Sequence, residues 1–279
     1  MNELERLARL PEIPQSFLFS GPRHVGKRLV AEWFAELLIE ATAQGGLEQN
    51  LYVLEPSQVV SAKRTREQVI PVESIREVQK FLSLSPISGK RRVLLIDGAE
   101  KLGHGAANAL LKFLEEPPER SILILITAEP ASLPQTLLSR LLAFHFTPVP
   151  GDVIRQALPE GATLPPFFID LGLPGVIKEA VDFSDGFMLK KNLLRSLFQL
   201  SKLSLQERMT LAETLSKDES MARDILEIWC TGLVFQARAK ETARVAQYTF
   251  LEQILATLRS LSRGEGALRP LLEKLFFSV

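Results

Sequence analysis

Four short stretches of this sequence carry residue types suited to handling phosphate groups. The first, Gly21-Pro-Arg-His-Val-Gly26-Lys27, fits the spacing G-x-x-x-x-G-K. In such a loop the glycines let backbone N–H groups face a phosphate, the lysine reaches the outer phosphates, and a hydroxyl after the lysine binds Mg²⁺. That last position holds Arg28, which would repel a cation. A glycine-rich turn with an incidental lysine is the alternative, but a strand before the loop and a helix after it favour phosphate binding.

The second stretch is Leu94-Leu-Ile-Asp97-Gly98-Ala-Glu100. An aspartate after an apolar strand can hold Mg²⁺ in a phosphate-transferring site. A hydrolysing site also needs a carboxylate to orient the attacking water, and the next residue, Gly98, has none. Glu100 lies further into the turn and is expected to point elsewhere. Capping of the following turn is a competing role for Asp97.

The third and fourth stretches each supply one polar side chain. Thr127 follows the apolar run Ile122–Ile126, where its hydroxyl would sense the γ-phosphate of a nucleotide or merely cap the strand. Arg140 follows Ser139 at the end of a short helical segment. An exposed arginine there suits charge stabilisation on a phosphoryl group across a subunit interface. On its own, an exposed arginine is usually only a solvated charge.

These residues need a scaffold that brings them together. Two all-apolar runs, Val93–Ile96 and Ile122–Ile126, predict buried parallel strands with a helix between them. Ser16–Ser20 predicts another strand, ahead of the glycine loop. In open α/β sheets the ligand crevice lies outside the carboxyl ends of the strands, so the loop, Asp97 and Thr127 are expected at one edge.

The pattern of elements predicts three domains. Residues 1–149 alternate strands and helices and form an α/β domain with a parallel sheet. Residues 150–185 form a small helical domain. Residues 186–279 show no strand signal and carry long periodic apolar segments, which predict an all-helical domain.

Bulk composition limits the classes of function. The 279 residues carry a formal net charge of zero, so no global basic field draws the chain to nucleic acid. The basic stretch Lys63–Arg66 is either a solvated surface segment or a contact for a phosphate backbone.

The single cysteine, Cys230, lies in an apolar helical context and is expected in a core. No signal-peptide layout and no membrane-length apolar run is evident, so a cytoplasmic protein without membrane contact is expected.

The run Asn108-Ala-Leu-Leu-Lys-Phe-Leu-Glu-Glu-Pro-Pro118, followed by Ser139-Arg140, resembles the AAA+ clamp-loader subunits of bacterial DNA polymerase III. The spacing from Lys27 through Asp97 to Arg140 also matches that family. The resemblance implies an AAA+ P-loop domain, a helical lid domain and an all-α C-terminal collar domain for oligomerisation.

Departures from the family pattern resemble its delta prime subunits rather than the ATP-hydrolysing gamma/tau subunits. Arg28 replaces the Mg²⁺-binding hydroxyl, Gly98 replaces the catalytic glutamate, and Gly172-Leu-Pro-Gly175 lies where a sensor arginine is expected. The resemblance implies that Arg140 acts as an arginine finger in trans. It assigns a degenerate nucleotide site, empty or with residual ATP or ADP, to Gly21, Gly26, Lys27, Asp97 and Thr127.

The resemblance also sets expectations for cofactors and partners. No cofactor is required, and no zinc is expected, because 41–52 lacks the family's cysteines. The implied partners are the gamma/tau and delta subunits, with the sliding clamp and primer–template DNA met through the complex. Two alternatives stay open: a self-sufficient gamma/tau-like AAA+ ATPase in replication or repair, and a nucleotide-free helical-collar module.

Overall fold

The computed structural model describes residues 2–40, 50–60, 66–83, 91–158, 166–181, 185–239, 245–262 and 266–278. The chain divides into two compact units. The first comprises Met1–Pro22 and Gly26–Thr147, and the second comprises Arg23–Val25 and Pro148–Val279. None of the helices among the described residues is long and apolar enough to cross a membrane.

The first unit alternates strands and helices. In chain order these are α1 (Asn2–Ala8), β1 (Ser16–Ser20), α2 (Lys27–Glu40), β2 (Leu51–Leu54), β3 (Ser57–Val60), β4 (Arg66–Val69), α3 (Val72–Ser83), β5 (Arg92–Asp97), α4 (His104–Glu115), β6 (Ser121–Thr127), α5 (Gln135–Leu138) and β7 (Leu142–His145). The strands predicted at Ser16–Ser20, Val93–Ile96 and Ile122–Ile126 are confirmed as β1, β5 and β6, and the helix predicted between the last two is α4.

Five strands form one parallel sheet in the order β2-β5-β6-β1-β7. Strand β6 is buried along its whole length. Its alternate residues feed two hydrophobic clusters: Leu123 and Leu125 join one cluster with residues of α3, α4 and α5, whereas Ile122 and Ile124 join another with residues of α1 and α2. Helices therefore cover both faces, which explains why β5 and β6 read as continuous apolar runs.

The sheet register brings the polar strand ends together. Ser20, the last residue of β1, pairs with Thr127 at the end of β6. Asp97, the last residue of β5, pairs with Ile126. The glycine loop, Asp97 and Thr127 therefore lie at one edge of the sheet, as the sequence predicts.

Strands β3 and β4 pair antiparallel, apart from the main sheet. Residues 57–60 and 66–69 therefore form a strand pair. The segment 61–65, with the basic residues Lys63 and Arg64, lies outside the described residues.

The second unit contains α6 (Gly151–Ala157), α7 (Pro166–Asp170), α8 (Pro174–Val181), α9 (Asp185–Phe198), α10 (Leu205–Ser216), α11 (Glu219–Ala239), α12 (Val245–Ser262) and α13 (Leu268–Phe277). No strand occurs among its described residues, as predicted. Cys230 is buried, in line with the core position expected for it. The division of this region at residue 185 into a lid and a collar stays a prediction.

Candidate functional site

The glycine loop joins the buried strand β1 to helix α2. Gly21 has a φ of +142°, and a Cβ at that position would collide with the carbonyl oxygen of Phe146. Gly26 has a φ of +92°, with no atom within 4 Å of the position that a Cβ would take. Both conformations are ones that side-chain-bearing residues rarely adopt, so the two glycines give the loop its path.

Lys27 lies in the first turn of α2 and is only 7% exposed. Its Nζ donates hydrogen bonds to the carbonyl oxygens of Gly21, at 2.8 Å, and Pro22, at 2.7 Å. A buried ammonium must have such partners, because leaving it unpaired would be costly. The lysine that should reach a phosphate thus bonds to its own loop.

Arg28 makes ion pairs with three carboxylates. Its Nε lies 2.8 Å from Glu32, one turn further along α2. Its Nη1 pairs with Glu55, which follows β2, and lies 3.4 Å from Oδ2 of Asp97 at the end of β5. The hydrogen bond to Glu32 raises the pKa of Arg28, and the hydrogen bond and charge of Glu55 add to this effect against partial burial. The guanidinium is therefore always charged here.

Asp97 is partly buried at the carboxyl edge. Burial raises the pKa of this carboxyl group, and the positive charge of Arg28 works in the opposite direction. The following residue, Gly98, has a φ of +74°, and a Cβ there would lie 3.0 Å from Cγ of Pro56. The backbone at position 98 thus suits glycine and disfavours the glutamate of a hydrolysing site.

The donor set does not fit Mg²⁺. The ion prefers oxygen ligands in near-ideal octahedral geometry, commonly from one or two carboxylates and water. Here the hydroxyl position carries Arg28, and the Asp97 carboxylate faces the Arg28 guanidinium. Among the described residues no group of three or more His, Cys, Asp or Glu side chains could hold a metal ion.

The hydroxyl of Thr127 is engaged within the protein. It is 1% exposed, donates to Oε2 of Glu100 at 2.8 Å, and accepts from the backbone N–H of Glu129 at 3.0 Å. The Glu100 carboxylate faces Thr127, consistent with the expectation that it points away from the position of an attacking water. A nucleotide would have to compete with Glu100 for the threonine hydroxyl.

Two of the three loop residues that belong to the second unit form ion pairs within that unit. Arg23 forms an ion pair with Glu227 at 2.8 Å, and Nε2 of His24 lies 2.7 Å from Oδ1 of Asp224. Lys190 reaches the other oxygen of Asp224 at 2.7 Å. Burial disfavours ionisation of Asp224, but the hydrogen bond to His24 and the charges of His24 and Lys190 outweigh it and lower the pKa of Asp224 to about 2.

Arg140 lies just beyond α5, with its side chain 40% exposed. Its Nη1 donates to the carbonyl oxygen of Thr136 at 2.9 Å, and Nη2 lies 3.1 Å from Oε1 of Glu115, which is itself more than half exposed. Exposed ion pairs of this kind contribute only about 0–1 kcal/mol. The guanidinium therefore lies at the surface in a weak ion pair, which it can exchange for another partner at little cost in free energy.

Sequence reasoning missed the acidic partners of the basic residues. Glu32 stands four residues after Arg28 on a helix, a spacing that predicts a pair. Glu55, Asp224 and Glu227 carry no comparable local signal, because tertiary structure alone brings them to their partners.

Residues 1–150 match the family model for DNA polymerase III, delta subunit. The chain is 37% identical over 160 residues to the DNA polymerase III subunit tau of Escherichia coli, covering 53% of this chain and 24% of that protein. It is 33% identical over 165 residues to the DNA polymerase III subunit delta' of Pseudomonas aeruginosa, covering 52% and 48%. The matched regions thus span about a quarter to a half of these relatives.

A crystal structure of a DNA polymerase III, gamma subunit-related protein from Thermotoga maritima has a similar fold. The TM-score is 0.58 at 19% identity, and the match covers 99% of this chain and 97% of that chain. At this identity the likeness shows the fold alone. It supports the predicted arrangement of an α/β domain followed by helices.

Proposed function

This chain belongs to the DNA polymerase III, delta subunit family, and from that premise we propose that it serves as a delta-prime-type clamp-loader subunit. It does not hydrolyse ATP itself. It supplies Arg140 to ATP bound on a neighbouring subunit of the ring, which helps to load the sliding clamp onto primed DNA.

The observation that carries the proposal is the contrast between the two sets of functional residues. The chain's own nucleotide residues are engaged internally: Lys27 with loop carbonyls and Asp97 with Arg28. Arg140, in contrast, is exposed and held by a weak surface pair. Loss of turnover in cis beside a retained arginine is the pattern expected of a subunit that acts in trans.

The partners follow from the same assignment. Gamma/tau subunits would bind the ATP that Arg140 contacts, and a delta subunit would complete the ring. The clamp and primer–template DNA would be met through the assembled complex. The helices of residues 186–279 would provide the collar. Residual ATP or ADP in the degenerate site is compatible with the glycine loop, and zinc plays no part.

Replacing Arg140 by alanine in the assembled loader tests the proposal. An arginine finger supplied in trans contributes roughly 10³–10⁵-fold to turnover, so loss of one in a three-site ring should lower total DNA-stimulated ATP turnover by about a third or more. Ring assembly, followed by size-exclusion chromatography, should be unchanged. Phosphate release with and without primer–template DNA provides the measurement.

Two variants control for indirect effects. Arg76→Ala removes an exposed arginine from α3 of the same unit and should leave turnover unchanged. Glu115→Gln removes the acidic partner of Arg140 but keeps the guanidinium, and it should also retain turnover. Unchanged turnover in Arg140→Ala would remove the finger from the mechanism and leave the helical-collar module as the better description.

A gamma/tau-like ATPase is the second candidate. It is favoured by the relative named tau, which matches at a higher identity than the relative named delta'. The Arg28–Asp97 pair weighs against it, because a Mg²⁺–ATP complex would need the space and the carboxylate that Arg28 occupies.

A further inference from the structure

A single guanidinium connects three elements at the carboxyl edge of the sheet. Arg28 is the second residue of α2, Glu55 follows β2, and Asp97 ends β5. Glu55 and Asp97 pair with the same nitrogen atom, Nη1, while Nε bonds to Glu32. Their positions 27 and 69 residues from Arg28 show that the arrangement depends on the tertiary fold.

The two carboxylates that share Nη1 are brought close together and are both stabilised by the positive charge of Arg28. Two negative charges at such close range repel each other, and Asp97, whose side chain is 30% exposed, is screened by solvent less than Glu55, at 52%. A phosphate-binding loop with a hydroxyl after its lysine would supply positive charge here as Mg²⁺, held by the hydroxyl and the strand-end aspartate. In this chain the side chain at the hydroxyl position is itself the cation.

We propose that Arg28 is a resident substitute for the divalent metal ion: its guanidinium neutralises Asp97 and Glu55 and so makes this edge of the sheet independent of Mg²⁺. Shortening Arg28 opens the two carboxylates to a divalent cation. The inference rests on ion pairs within the first unit and is separate from the clamp-loader assignment, so either can fail without the other.

The competing explanation is a set of ordinary surface ion pairs. Exposed pairs are worth about 0–1 kcal/mol, and the Arg28 side chain is 45% exposed. Under that explanation, removing Arg28 changes stability slightly and creates no response to metal. The appearance of a metal response is therefore the property that separates the two explanations.

The test measures the thermal midpoint of the full chain in EDTA and in MgCl₂ or MnCl₂ on the order of 10 mM, without nucleotide. The wild-type midpoint should not respond to metal. Arg28→Thr should have a lower midpoint in EDTA and recover about 3 °C in Mg²⁺, the shift expected for millimolar binding to a protein of this size. If Arg28→Thr does not fold, Arg28→Gln carries the same measurement.

Three further variants define the site. Arg28→Lys keeps a positive charge and should remain unresponsive to metal. Arg28→Thr combined with Asp97→Asn should lose the response gained by Arg28→Thr. Arg269→Thr breaks an exposed pair with Glu273 at the same four-residue spacing and should gain no response. A metal response in the wild type, or none in either Arg28→Thr or Arg28→Gln, would overturn the inference.

Discussion

The ammonium of Lys27 forms part of the structure of its own loop. It is buried, and it satisfies the carbonyl oxygens of Gly21 and Pro22. A lysine whose only role was to bind a phosphate would contribute little to the stability of the nucleotide-free protein. In this chain Nζ of Lys27 would have to give up both hydrogen bonds before it could contact a nucleotide. That loss reduces the free energy gained on nucleotide binding.

Lys27→Met should therefore destabilise the chain in the absence of any nucleotide. Hydrogen bonds to charged groups contribute about 1.5–3 kcal/mol, and a comparable loss of unfolding free energy is expected. Urea denaturation with nucleotide-free protein provides the measurement. Lys202→Met, at an exposed lysine, is the control and should change the midpoint little. Equal midpoints for the two variants would mean that the Lys27 hydrogen bonds do not support the loop.

At this scale the sequence identifies candidate site residues but not what they contact. The spacing G-x-x-x-x-G-K identifies Lys27, and the end of an apolar strand identifies Asp97. That Arg28 lies against Asp97 depends on where the tertiary fold places the end of β5 relative to the start of α2, which no local pattern specifies. The exposure of Arg140 was likewise an expectation from sequence, and the side chain is 40% exposed.

At the scale of elements, the turn from β1 to α2 is confined by its neighbours. The backbone N–H of Phe146 donates to the carbonyl oxygen of Ser20 at 2.7 Å. This hydrogen bond holds the segment after β7 against the start of the loop, where Gly21 has no room for a side chain. The path of the loop is thus set by the edge strand as well as by its own glycines.

Two glycine substitutions separate steric exclusion from backbone strain. Gly26→Ala introduces only strain, because no atom is near its Cβ position, and a strained residue costs on the order of 1–3 kcal/mol. Gly21→Ala adds a collision with the Phe146 carbonyl and should lower the unfolding free energy further. Chemical denaturation of both variants gives the comparison. Equal losses would show that the Phe146 segment moves aside easily.

The elements themselves were largely predictable. Apolar runs of strand length identify β1, β5 and β6, and the apolar spacing of Leu110, Phe113 and Leu114 identifies the buried side of α4. Helix α4 starts at His104, four residues ahead of the Asn108 at which the recognisable run begins.

At the scale of the whole molecule, an α/β unit and a helical unit account for the described residues. The sequence predicted this arrangement, because strand patterns occur in residues 1–149 and are absent from residues 186–279. The two kinds of element can be told apart because apolar residues repeat at different spacings in strands and in helices. The sequence does not specify the assignment of Arg23–Val25 to the second unit, because the partners Asp224 and Glu227 lie about two hundred residues away.

The purified chain should have no Mg²⁺-dependent ATPase activity. The reason is the combined loss of a metal-binding hydroxyl, at Arg28, and of a water-orienting carboxylate, at Gly98. Phosphate release by the chain alone, and by the chain mixed with gamma/tau and delta subunits, is the measurement. Robust hydrolysis by the chain alone would reverse the choice of subunit type.

Arg28→Thr combined with Gly98→Glu tests whether restoring the hydroxyl and the carboxylate is sufficient for hydrolysis. The positive φ at position 98 disfavours the glutamate.

The close approach of Gly175 to His24 limits which residues position 175 can accept. The Gly175 N–H donates to the His24 carbonyl oxygen at 2.7 Å, and a Cβ on Gly175 would lie 3.0 Å from both Cα and O of His24. Any side chain at position 175, an arginine included, would require the main chain at His24 to shift first. The conformation of the glycine loop at His24 therefore depends on a residue without a side chain about 150 positions further along the chain.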